Sequence, residues 1–151
     1  NNNNSNNINN INNTTNNYIT YTRTDEEIDL IYEENIDENT IKGGIISLAQ
    51  VMINKIFTND EGIKMITVTD KSRFNIKYKI PSGEVVRDDG MVSLVDKHKD
   101  YIMKNINKFI SIRPLIGSKI FDITTAVSKG YNSITEDIDN NKLKKQICKY
   151  M

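Results

Sequence analysis

The chain has no tryptophan, two prolines, one cysteine and one histidine in 151 residues. A lone Cys148 excludes an internal disulfide and points to a reducing compartment. With His98 as the only histidine, fifty positions from that cysteine, no zinc-ligand spacing exists. No apolar run approaches the roughly 20 residues needed to span a bilayer, so a membrane partner is not expected. Lys plus Arg equals Asp plus Glu at twenty each, so no whole-chain field draws the protein to polyanions. A phosphate-cradling loop is missing, because Gly43-Gly44 lacks the lysine and flanking spacing it requires, and Gly-x-Ser-x-Gly is absent too. A familiar enzyme is therefore not expected, nor is a cofactor.

What the chain does have is asparagine. Twelve of the first seventeen residues are Asn, broken by Ser5, Ile8, Ile11, Thr14 and Thr15. Two aliphatic side chains cannot offset the entropy of ordering such a stretch, so residues 1–17 read as a disordered spacer. Because no initiator Met precedes it, the spacer is expected to join an upstream module to a single domain over residues 18–151. Ile8, Ile11, Thr15 and Tyr18 fall at heptad spacing, a register for weak association at most.

The remaining length suits one domain with one core. Thr24-Asp25-Glu26-Glu27 has the form of a capping box, which predicts a short acidic helix from Asp25 to about Glu34. Residues 35–39 read as a loop, with Thr40 as the cap of a second, strongly apolar helix unless Gly43-Gly44 delays its start. Its stripe is expected to hold Ile46, Ala49, Ile53, Ile56 and Phe57, widened by Leu48 and Met52. The period then changes from 3.6 to 2. Phe74, Ile76, Tyr78 and Ile80 alternate with Arg73, Asn75, Lys77 and Lys79. With Met65 to Thr69 before this strand and Glu84 to Arg87 after it, a three-stranded antiparallel meander follows, its apolar face laid on the second helix.

Beyond Asp88-Asp89-Gly90, Met91, Leu94, Val95, His98, Ile102, Ile106, Phe109 and Ile110 trace a long helix ended by Pro114. Another helix is predicted from about Leu115 to Asp137, kinked or split at Gly130. Residues 140–151 read as a lysine-rich, fraying end. The fold class is α+β: two N-terminal helices, a β-meander, then two or three C-terminal helices.

Charge is uneven along this order. From Arg23 to Lys42 eight acids face two bases; from Gly43 to Ile80 six bases face three acids. The best candidate site is the polar side of the predicted sheet: Arg73, Asn75, Lys77 and Lys79, extended by Lys71 and Arg87, facing phosphates of a nucleic acid. A solvated sheet face would look the same, and Phe74 and Tyr78 belong to the other side, so base stacking is not available. His98 is expected half-buried on its helix. Asp70, Asp88 and Asp89 sit at strand ends where magnesium ligands occur, but turn formation and helix capping account for all three.

One resemblance emerges from the motifs themselves. Thr69-Asp70-Lys71-Ser72-Arg73, then Ile76-Lys77-Tyr78-Lys79 and the Ser82-Gly83 tip, following an Asn-rich spacer, resemble the carboxy-terminal domain of uncharacterised giant-virus proteins of the mimivirus type. That resemblance implies an intracellular viral source, in host cytoplasm or virion, and often an upstream zinc-finger-like module. This chain holds no zinc-binding set of its own. The expectation is a non-enzymatic binding or assembly module with a protein partner or its own copies, part of a larger viral protein. The alternative is a nucleic-acid-binding domain.

Overall fold

The computed structural model describes residues 19–112 and 119–151. The Asn-rich tract, the heptad register through Tyr18 and the helix break at Pro114 lie outside the described residues. Among the described residues, six α-helices and one three-stranded antiparallel sheet make the architecture, which is α+β.

Helix α1 spans Asp25–Asn35 and starts at the predicted capping box. The Thr24 hydroxyl accepts from Glu27 N at 3.2 Å while Thr24 N donates to the Glu27 carboxylate at 2.8 Å. Ile28 and Tyr32 are fully buried, Ile31 partly. The segment expected as a loop instead contains a short helix, α2, over Glu38–Lys42. Asp37, not Thr40, is its cap: its carboxylate accepts from Thr40 N at 2.9 Å. The Thr40 hydroxyl turns back to donate to Asn35 O at 2.6 Å. Among the described residues three helices thus precede the sheet rather than two.

Helix α3 covers Gly44–Val51 and passes into a π-helical turn, Met52–Ile56. Gly44 enters it at φ +63°, a conformation glycine adopts without strain. The expected stripe is buried except at its first member: Leu48, Ala49, Met52, Ile53, Ile56 and Phe57 are covered, and Ile45 with them, whereas Ile46 is 49% exposed. The π turn ends under Arg23, whose guanidinium donates to Thr58 O at 2.9 Å and Ile56 O at 3.4 Å, a cation on C-terminal carbonyls.

The sheet has the order β1-β2-β3, with β1 at Thr67–Asp70, β2 at Asn75–Lys79 and β3 at Val85–Asp88. The meander is as read, but its edges move. Arg73 and Phe74 belong to the β1–β2 turn rather than to β2. Asp70 builds that turn, its Oδ1 accepting from Ser72 N, the Ser72 hydroxyl and Arg73 N. Phe74 leaves it at φ +57°, which takes it out of the strand's alternation.

After β3, a 3-10 turn at Asp89–Met91 leads into α4, Val92–Ile112. Buried Asp88 caps α4 by accepting from Ser93 N at 3.1 Å and Leu94 N at 2.8 Å. The sheet lies mainly against this turn and the start of α4, not on α3 as expected. Along α4, Leu94, Val95, Ile102 and Ile106 are buried as read, but Ile110 is 42% exposed.

Helix α5 runs from Lys119 to Asp137 without the kink expected at Gly130. Glycine serves close approach there: a Cβ on Gly130 would lie 2.1 Å from Ile41 O of α2. The end expected to fray is instead helix α6, Asn141–Tyr150, capped by the Asn140 side chain accepting from Lys142 N at 2.8 Å. Leu143, Ile147 and Cys148 bury its inner face. One cluster of buried side chains draws on all six helices and β2.

Candidate nucleic-acid interface

The strand period places alternate β2 residues on opposite sides. Ile76 is buried and Tyr78 half-buried toward the core, while Lys77 and Lys79 face outward. The pairing then decides which cations meet. Lys77 is the partner of Thr67 on β1 and of Arg87 on β3. Directly paired residues share a face, so Thr67, Lys77 and Arg87 form one row across the sheet, about 10 Å from end to end at the usual strand spacing. Lys79 stands one step further along β2, opposite Val85. Its backbone carbonyl accepts from Tyr21 N at 2.7 Å, where the chain before α1 bridges to β2.

Among the described residues no carboxylate pairs with Lys71, Lys77, Lys79 or Arg87. The outward positions of the three strands are Thr67, Asp70, Asn75, Lys77, Lys79, Val85 and Arg87, with Thr69 the extra residue of a bulge in β1; the one acid, Asp70, lies at the Asn75 end, where its carboxylate is engaged by Ser72 and Arg73 of the turn. On α4, by contrast, three lysines meet acids of α1. Lys97 pairs with Asp25 at 2.5 Å, Lys104 with Asp29 at 2.7 Å and Lys108 with Glu33 at 2.6 Å, joining α4 to α1. The acidic first helix is therefore matched to α4, not set beside the sheet as an opposite pole.

The six residues expected to act together do not all do so. Lys77, Lys79 and Arg87 share the face. Asn75 lies on it, but its side-chain oxygen is occupied, accepting from Gly90 N at 2.9 Å and so anchoring the 3-10 turn. Arg73 sits in the β1–β2 turn beside Asp70, at 3.8 Å. Lys71 is in the same turn, close enough to α6 for its charge to oppose the upward pull of burial on the Cys148 thiol. The alternation read from Arg73 onward failed at its first step because the turn that Asp70 builds extends through Phe74. Thr67 was missed, although the polar-apolar-polar order Thr67-Val68-Thr69 carried the signal. Its place beside Lys77 depends on register, which no local pattern reveals.

The other chemical groups are held in structure. His98 is fully buried, not half-buried. It shares a 2.5 Å hydrogen bond between Nδ1 and the Tyr32 hydroxyl, and both Tyr32 and Phe57 meet its ring edge-to-face. Burial lowers its pKa to about 3, so the imidazole is neutral. Cys148 is buried with its thiol pKa raised by burial. Asp70 and Asp88 are engaged with backbone N–H groups as described, and no group of three His, Cys, Asp or Glu side chains that could hold a metal occurs among the described residues. A groove of about 290 Å³ between α2 and α3 is lined by polar side chains including Asn39, Ser47, Gln50 and Asn54. A second, about 460 Å³, separates the α2–α3 junction from α5 and is edged by Lys42, Lys129 and Asp137. Among the described residues no helix is long and apolar enough to cross a membrane. Compared with family models, curated proteins and solved structures, the chain matches none of them.

Proposed function

We propose that this chain is a non-enzymatic binding module that grips the phosphate backbone of nucleic acid with the outer face of its sheet. The observation that carries this reading is the row Thr67–Lys77–Arg87 with Lys79 beside it, three cations and a hydroxyl on a face whose one carboxylate, Asp70, is bound into the β1–β2 turn. Cations without an acidic partner have no ion pair to break before meeting phosphates, and each contact releases condensed counterions. The motifs around Thr69 to Arg73 add the proposal of a viral protein working inside the host cell.

A second reading is assembly through the sheet edge. It is favoured by Val85, 41% exposed on β3, whose outer edge has no strand partner among the described residues. Binding of the full chain to mixed nucleic acid at two salt concentrations, with light scattering on the same sample, separates the two. Affinity that falls with salt, and falls again in Lys77→Ala and Arg87→Ala, supports the first. Mass above the monomer without nucleic-acid binding supports the second and rejects the first.

A further inference from the structure

We infer that the sheet face takes double-stranded nucleic acid through its backbone alone, without preference for base sequence; this rests on the nucleic-acid reading above. The chemistry of the face selects the ligand. Single-strand binders gain about 1–3 kcal/mol per base from aromatic stacking. Here Tyr78 lies half-buried on the inner side of β2, and Phe74 is withdrawn into the turn by its left-handed backbone. No aromatic side chain stands among the seven outward positions of the strands, so the stacking gain is missing.

Reading bases in a groove demands an element that enters it, with side chains that form bidentate pairs. The outward amide, Asn75, already accepts from Gly90 N. Lys77 and Lys79 carry point charges that suit phosphate oxygens without distinguishing bases. Arg87 is the one planar donor on the face, and it stands at the end of a row about 10 Å long. A duplex presents one charge per about 1.7 Å of axis, twice the density of one strand, so a stacking-free patch of three cations gains more from it.

The size of the difference follows from counterion release. With three phosphate contacts, log K against log salt has a slope of about −2.7 on a duplex and about −2.1 on a single strand. If both extrapolate to the same affinity at about 1 M salt, the duplex binds about sixfold tighter at about 50 mM. The hydroxyl of Thr67, paired with Lys77, adds an uncharged donor that affects affinity but not slope.

The test is a salt titration of the full chain against two duplexes of unrelated sequence and a single strand of equal length, alongside Lys77→Ala and Lys129→Ala. Lys129 is an exposed lysine on α5 and controls for lost positive charge. The expected result is two duplexes bound within about twofold, a single strand several-fold weaker, and a slope smaller by about 0.9 in Lys77→Ala but unchanged in Lys129→Ala. Unchanged thermal midpoints in both variants exclude misfolding as the cause. A single strand bound as tightly as the duplexes, or duplexes differing tenfold, overturns the inference and leaves the nucleic-acid reading standing. No salt-dependent binding to any of the three overturns both.

Discussion

Lysines on the α1–α4 seam and lysines on the outer sheet face are chemically the same group in opposite circumstances. On the seam, Lys97, Lys104 and Lys108 meet Asp25, Asp29 and Glu33 in matching order along both helices. Beneath them, Asn105 donates to Asp29 at 2.9 Å and His98 meets Tyr32. On the sheet, no carboxylate among the described residues pairs with Lys77, Lys79 or Arg87, and Asp70 at the end of that face is held by its own turn. A charge satisfied inside the fold contributes to holding it; a charge left over is available to something else. Equal totals of acids and bases conceal this division, because the acids are spent unevenly.

The division implies that seam substitutions change stability and leave nucleic-acid affinity alone, with sheet-face substitutions doing the reverse. The largest expected effect is His98→Ala. It opens a cavity between Tyr32 and Phe57 and strands the buried Tyr32 hydroxyl, at a cost of about 3 kcal/mol in urea unfolding. A loss below about 1 kcal/mol would show that the seam's inner layer is not a principal anchor of α1.

The pH dependence comes next. Folded His98, with its pKa lowered to about 3, resists a proton that the unfolded chain accepts near 6.5. The unfolded state then binds more protons, so stability falls as pH drops from about 6.5 toward 3, by up to about 1.4 kcal/mol per unit. Urea midpoints at pH 7 and pH 5 measure this slope, and His98→Gln should flatten it. A slope that persists in the variant would assign the proton elsewhere.

Asp29→Asn is a smaller perturbation, about 1 kcal/mol near neutral pH, because Asp29 is only partly shielded from water. Hydrogen bonds from Lys104 first and Asn105 second hold its carboxyl below the usual 3.8. Its depressed pKa makes the contribution full above about 3.8 and lost as pH falls through the folded value. The variant should therefore converge on the parent in strong acid; a constant gap would mean that charge is not the cause. Smallest is Lys97→Ala, whose pair with Asp25 is largely in water: thermal unfolding should shift by no more than about 0.5 kcal/mol. If any of these seam variants, kept folded, lost duplex affinity, the separation of the two regions would fail.

Several elements were legible before any coordinates because their cause is local. Thr24 and Glu27 satisfy each other's backbone across one turn, and the apolar stripe of α4 repeats often enough to define its own face. The alternation Asn75 to Lys79 is equally self-contained, which is why Lys77 and Lys79 were found. Misreadings arose where two neighbours compete. Asp37 and Thr40 can each cap a helix, and the Asp wins while the Thr hydroxyl satisfies Asn35 O. Ile45 and Ile46 are equally apolar, and α2 and α5 decide which is covered. Gly130 reads as a helix breaker in isolation but serves the contact with Ile41.

By itself, the sequence determined the α+β class, the meander, the capping of α1 and the outward direction of Lys77 and Lys79, all through propensities and periods acting over a few residues. Only the tertiary structure decided that α1's acids belong to α4, that Arg73 and Lys71 leave the sheet face, and that Thr67, Lys77 and Arg87 share a row. These depend on register and on packing between segments far apart in the chain, and no interaction within a few residues can encode which distant partner arrives.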